Sequence, residues 1–178
     1  MDLAGKSENI VDNLIEQLTE SYGDLEVSEK VWEISSEKFD EESENFRNGG
    51  YGGAGIWLTN SDGEILLVKN KGDKAWSDPG GHNEPGENFE ETARRELKEE
   101  TGAEARITGL ISAEKIRFER KTDEEDYFYN LIAVFKGEYV GGEVRPQNNE
   151  IENVKWWSSH PDELLYDGLK EFSIPADP

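Results

Sequence analysis

The chain has no cysteine, one methionine, two histidines, and only 19 basic residues against 41 acids. Without cysteine there are no disulfides, thiolate-zinc sites or cysteine nucleophiles, so any bound metal must use oxygen or the two histidines. Hard cations are the natural guests of such a chain. No run of about twenty apolar residues could cross a bilayer. The start, MDLAGKSENIVDN, lacks the basic and apolar segments of a secretory signal, and the expected location is the cytoplasm. A formal charge of -22 repels nucleic acid and anionic membranes over long range at low salt, so neither a polynucleotide nor a membrane is an expected partner.

What is present suits one compact domain with a decorated end, since 178 residues can bury a real core. The acids are spread along the chain rather than gathered in a tail. Two readings of that spread stay open: adaptation to a salt-loaded cytoplasm, which we favour, and an ordinary acidic protein with a disordered acidic end.

Ile10, Val11, Leu14, Ile15 and Leu18 recur at helical spacing, and Gly23 offers a stop. The acidic stretch that follows holds Val27, Val31, Trp32, Ile34, Phe39 and Phe46. It reads as an extra strand and helix packed on the domain or as a partner-facing arm, with packing favoured because Trp32 and Phe39 need cover. From Tyr51 the pattern turns to strands. YGGAGIWLT and EILLVKN form a hairpin about Asn60-Ser61-Asp62-Gly63, a turn too short for a calcium loop. A helix is expected from about Asn88 to Thr101, stopped by Gly102. ARITGLISAEKIRFER and DYFYNLIAVFKGEYV read as strands joined by a charged turn, KTDEED, the second strand buried on both faces. IENVKWW suggests another strand, and HPDELLYDGLKEF a final helix with Pro161 in its first turn. Strands covered by helices on both faces make an α/β sandwich.

The helix after the glycine-rich segment GGHNEPGEN carries the chemistry. Asn88 and Glu91 have the spacing of a capping box, and Glu90 and Glu91 suit the positive end of the helix dipole. At about 100° per residue, Phe89, Ala93 and Leu97 share an apolar stripe. Glu96 and Glu100 project onto nearly the same face, with Glu99 alongside, at the negative end of the dipole. Unpaired carboxylates there are costly. Arg95 lies one turn from Glu91 and Glu99, and Arg94 from Glu90, so local ion pairs are expected, although neither arginine falls on the face of Glu96 and Glu100. A divalent cation on Glu96, Glu99 and Glu100 would resolve the conflict. A solvated acidic face is the competing reading, and the residues alone leave the two even.

Gly81, then Glu87 after five residues, then Arg95-Glu96-Leu97-Lys98-Glu99-Glu100-Thr101-Gly102-Ala103 after seven more, resembles the full signature of the Nudix hydrolase family. The signature spans 81–103, within a resemblance anchored from Trp76 through the helix, and points to a MutT-like member; the charge balance is what suggests a haloarchaeal or otherwise halophilic one. It implies a Nudix-type α/β/α sandwich with a mixed β-sheet over residues 48–174, preceded by an acidic extension, residues 1–47, with its amphipathic helix. The implied reaction is hydrolysis of a diphosphate linkage in a nucleoside diphosphate derivative with Mg²⁺ or Mn²⁺. Carried onto this chain, the resemblance makes Glu96, Glu99 and Glu100 the principal metal ligands, helped by Glu87 and the Gly81 carbonyl, with Arg95 orienting the glutamates. The base is one of the box glutamates or a later acid. Glu150 is the first candidate outside the box and Glu152 the second, against a plain solvated loop acid. A small-molecule nucleotide is the implied partner. Many relatives are dimers, so a homodimer is also considered, and the first helix could dock on its own domain or on a second subunit.

One residue departs from the family pattern. Asp78 stands before Pro-Gly-Gly where an apolar residue is usual, and surface adaptation, an extra outer acid and a shifted loop are all open. On the substrate side, Trp76 could stack on a base or pack in the core, as could Tyr127. Arg117 could hold phosphates or pair on the surface. No subfamily motif is evident, so a nucleoside triphosphate, an oxidised nucleotide and ADP-ribose stay equally open. The rival from another class is a nucleotide-sensing or partner-binding domain that does not turn over.

Overall fold

A computed structural model describes residues 1–147 and 149–177. It has the mixed α/β architecture expected, with a mixed sheet. The chain order is α1 (Leu3–Tyr22), β1 (Val27–Ile34), α2 (Ser36–Arg47), β2 (Gly52–Thr59), β3 (Ile65–Asn70), β4 (Gly80–His82), α3 (Phe89–Thr101), β5 (Glu104–Arg120), β6 (Asp123–Gly141) and β7 (Ile151–Trp157), then a short 3-10 helix, Asp167–Glu171. These elements fall into two compact units, and the long strands β5 and β6 give part of their length to each.

The first unit joins residues 1–53 to 82–89 and 112–133. Asp2 caps α1 by accepting from the Gly5 amide, and Gly23, at φ 87°, ends it. The helix docks on its own chain. Ser7 Oγ accepts from the Tyr129 amide at 2.9 Å, and the Lys115 ammonium lies 2.7 Å from Asp12 and 3.3 Å from Glu8. The acidic stretch after Gly23 forms a strand and a helix, as packing required. β1 runs parallel to β5 with Trp32 opposite Phe118, and the two rings meet at 5.6 Å. From α2, Phe39 and Phe46 reach Phe128 at 5.2 and 5.9 Å. These rings are the centre of the unit's core.

The second unit holds residues 54–81, 90–111 and 134–177 among those described. The Asn60–Gly63 turn is locked by the Asn60 side chain, whose Oδ1 accepts from the amides of Asp62 and Glu64 at 3.0 Å each. β3 pairs antiparallel with β7, Leu66 opposite Trp156 and Val68 opposite Val154. Trp57, Ile65, Leu67, Leu169 and Ile174 form a buried cluster, and Trp57 Nε1 donates to the Ser173 carbonyl at 2.9 Å. Burying such side chains stabilises a fold by roughly 1.5–3 kcal/mol each.

Two boundaries differ from the sequence reading. The charged turn between β5 and β6 is only Lys121-Thr122, because β6 already begins at Asp123. The expected final helix is reduced to the Asp167–Glu171 3-10 helix. Its front half is extended instead, since the Trp76 amide donates to the Glu163 carbonyl and the Leu165 amide to the Trp76 carbonyl at 2.9 and 2.8 Å. A tertiary ladder has taken the backbone groups that a helix would have used. Between Asp126 and Phe135 no residue of β6 is exposed, which agrees with a strand covered on both faces.

Candidate active site

Within the second unit, α3 turns its apolar stripe inward, Ala93 and Leu97 being fully buried. Glu96 and Glu100, which flank that stripe, follow it to different depths. Glu100 is 8% exposed, and its Oε2 accepts from the Gly80 amide at 3.0 Å. Glu96 lies against Gly81, where a Cβ would stand 2.5 Å from its carboxylate. Glycine at 81 is therefore a matter of space. Gly102, at φ 75°, ends the helix as expected.

Arg95 occupies the remaining acids. Its Nη1 is 2.9 Å from Glu96 Oε1 and 3.2 Å from Glu99 Oε2. Helical spacing put Arg95 off the face of Glu96, but the long guanidinium stem reaches around to it. Glu99 is half exposed, so it lies further out than Glu96 and the buried Glu100.

Electrostatics single out Glu100. Burial pushes its carboxyl up to about 8; the Gly80 amide pulls the other way, and negative charge on Glu96, Asp78 and Glu150 adds to the rise. Asp78 is likewise raised to about 7 by burial, against the bond from its own amide. Part of the Asp78 residue stays accessible, yet its carboxyl points inward: a Cβ at Gly55 would lie 2.1 Å from Asp78 Oδ2. This answers the question its position raised, since the acid is no surface adaptation. The signal in the sequence was the small residue at 55, which leaves the room.

Among the described residues, no three acids or histidines are set, as they stand, in a group that could hold a cation. The donor chemistry nevertheless fits one. Negative charge on Glu96, Asp78 and Glu150 adds to the proton affinity that burial gives Glu100, and oxygen ligands suit Mg²⁺ or Mn²⁺. Glu150 is exposed, and its carbonyl accepts from the Lys71 amide.

Glu87 belongs to the first unit, where its Oε2 accepts from the Glu84 amide at 3.1 Å. Trp76 packs edge-on against Trp157 at 5.1 Å beside the buried cluster, so core packing accounts for it. Arg117 and Tyr127 are brought together in the first unit, the guanidinium 3.6 Å above the ring, on an open cleft of about 610 Å³. Glu42 of α2 was missed. It pairs with His82, although its spacing from Phe39 and Phe46 put it on the buried stripe.

The NUDIX domain family model matches residues 52–173. The chain belongs to the Nudix family. It is 36% identical over 107 residues, 60% of this chain, to a Bacillus subtilis protein named "Putative 8-oxo-dGTP diphosphatase". It is 32% identical over 107 residues, 59% of this chain, to the NAD-capped RNA hydrolase NudC of Pseudomonas fluorescens. These matches span 65% and 35% of the two relatives' own lengths. Among solved structures, the MutT Nudix hydrolase of Burkholderia pseudomallei is similar in fold, with a TM-score of 0.52 and 24% identity over 65% of this chain and 90% of that one. Nudix domains work with divalent cations, and the relatives' names place RNA ends beside small nucleotides among the family's substrates.

Proposed function

We propose that this chain is a Nudix pyrophosphohydrolase that cleaves the diphosphate linkage of a small nucleoside diphosphate derivative. The observation that supports it best is the buried Glu100, held at the Gly80 amide, with a proton affinity raised first by burial and then by negative charge on Glu96, Asp78 and Glu150. A carboxylate so placed costs free energy unless a cation joins it. Glu96, Glu99 and Glu100 would hold that cation, with Glu87 and the Gly81 carbonyl as further oxygens, and Mg²⁺ or Mn²⁺ are the ions that suit them. When bound, the ion supplies charge neutralisation at the diphosphate and a lowered water pKa.

The chain's own groups do the rest. Arg95 orients Glu96 and Glu99 through its two ion pairs. Water attacks one phosphorus, a new P–O bond forms as the bridging P–O bond breaks, and a carboxylate takes the proton, Glu150 being the candidate outside the helix and Glu99 or Glu100 those within it. Arg117 stacked on Tyr127 offers a flat cationic surface for a base or terminal phosphate. The working form is a cytoplasmic domain, residues 48–174 with the extension 1–47, adapted to high salt. It acts on a nucleoside triphosphate, an oxidised nucleotide or an ADP-ribose-like compound rather than on a polynucleotide.

Phosphate release from a panel of these nucleotides and of 5′-capped and 5′-triphosphate RNA, with Mg²⁺ or Mn²⁺ in high salt, tests the proposal against Glu100→Gln. Turnover of small nucleotides that the variant loses supports it. Binding without turnover moves the reading to a nucleotide-sensing domain, and turnover of RNA alone overturns the substrate class.

A further inference from the structure

We propose that Glu42, on helix α2 of the N-terminal segment, is a positioning residue that orders the His82–Glu87 loop through the imidazole of His82. The inference builds on the preceding proposal, in which Glu87 of that loop is a metal ligand. It adds a part of the chain outside the residues 52–173 that match the family model.

Glu42 sits among Phe39, Ser43 and Phe46 on the buried stripe of α2 and is itself 5% exposed. An acid on that stripe needs partners. Lys38, one turn back on the same helix, supplies one at 3.0 Å, and the other comes from outside the helix: Glu42 Oε1 lies 3.1 Å from His82 Nε2. His82 is mostly exposed, so its ring gains little from packing, and the Glu42 contact ties it to the fold.

The rest of the loop rests on the turn that follows α2. The Tyr51 amide donates to Asn83 Oδ1 at 3.1 Å, and the Asn83 amide to the Gly52 carbonyl at 2.9 Å. At Gly50 a Cβ would meet the Asn83 carbonyl at 2.7 Å, so a side chain there would push the loop away. Inside the loop, Asn83 Nδ2 donates to the Glu87 carbonyl, and the Glu84 amide to Glu87 Oε2, each at 3.1 Å. Glu87 thus takes its position from a loop fastened to the N-terminal segment at His82 and Asn83. The family motif specifies Glu87; this chain uses its own α2 to hold the loop around it.

The test compares wild-type protein with Glu42→Ala, His82→Ala, the double variant and Glu42→Gln. Two readouts are taken: amide hydrogen exchange at Asn83, Glu84 and Glu87 without metal, and Mn²⁺ affinity by calorimetry. Each alanine variant should speed exchange at those amides about tenfold and weaken Mn²⁺ binding three- to tenfold, while amides of β3 and β7 keep their protection. The double variant should do no more than the stronger single one, and Glu42→Gln, which keeps an acceptor for His82, should recover most of the protection. If Glu42→Ala does not fold, His82→Ala, at an exposed position, decides. Unchanged exchange in His82→Ala, or effects that add in the double variant, overturns the inference. Wild-type protein that binds no Mn²⁺ counts against the metal site proposed above, and the exchange data then judge Glu42 by themselves.

Discussion

Glu100 Oε2 accepts a hydrogen bond from the Gly80 amide at 3.0 Å, which fixes a buried carboxylate of α3 to the start of β4. That bond constrains what a substitution can do. Glu100→Gln keeps an acceptor for the amide and removes the charge, so the fold should persist and the metal-free protein should melt a few degrees higher at pH 8. Mn²⁺ affinity should fall at least tenfold and hydrolysis by about 10² or more, on the scale of losing one charged group from a transition state. Calorimetric melting and metal titration check both arms. A variant that melts lower without metal yet keeps its turnover would show that the charge at 100 is neither strained nor used.

The raised carboxyls of Glu100 and Asp78 set a pH dependence opposite to that of ordinary salt-bridged acids. Glu100 is raised from 4.5 to about 8 and Asp78 from 3.8 to about 7, both first by burial. A carboxyl whose folded pKa lies above its unfolded one binds protons more tightly when folded. Its penalty is absent below the unfolded value and grows as pH rises to the folded one. Metal-free protein should therefore lose stability between about pH 4 and 8, at up to about 1.4 kcal/mol per pH unit for each group. Divalent cation binding at Glu100 must displace its proton, so Mn²⁺ affinity should climb as pH rises towards about 8. Melts in chelator and in Mn²⁺ from pH 5 to 9 should diverge, and parallel curves would contradict the coupling.

Much of this site was legible in the chain because a helix has a rigid period. Phe89, Ala93 and Leu97 defined a buried stripe, and Glu96 and Glu100 fell beside it at the helix end where a charge is least welcome. The structure buries Glu100 and leaves Glu96 partly exposed against Gly81. Periodicity could not say how far a flexible side chain reaches, so the Arg95 contact with Glu96 was hidden. Nor could it show that Asp78 turns inward, which depends on the space left at Gly55 in another strand. The final segment failed for a related reason. Its helical pattern was real, but pairing of Glu163 and Leu165 with Trp76 decided the backbone. Long-range partners of this kind leave no local mark.

Lys115 anchors α1, and its removal should loosen that helix before the rest of the fold. The ammonium is 8% exposed and lies between Glu8 and Asp12, 4.7 Å from the Tyr129 ring. Both acids are about half exposed and can return to water, so Lys115→Met should cost only about 1–2 kcal/mol, below the range for a fully buried pair. Lys115→Glu places a third acid there and should release α1. Hydrogen exchange over residues 3–22 would show this as faster exchange confined to the helix. Equal protection in wild type and Lys115→Glu would mean that Val11, Leu18 and the Ser7 bond suffice to hold it.

Salt should separate the local ion pairs from the charge of the whole chain. With 41 acids against 19 bases, negative charge outnumbers positive about two to one, and the mutual repulsion of the acids weakens as counterions accumulate. Screening also weakens pairs such as Lys115 with Asp12, but that contact is largely shielded from solvent on the lysine side and loses less. The net effect should be a melting temperature that rises, by more than about 5 °C, from 0.05 M to 2 M KCl. Sodium sulfate strengthens burial at modest ionic strength, so KCl and sulfate must be compared at matched ionic strength. If the rise follows ionic strength and saturates, screening is its source. A melting temperature equal or higher at low salt would show that the acids reflect an ordinary acidic protein and not adaptation to a salt-loaded cytoplasm.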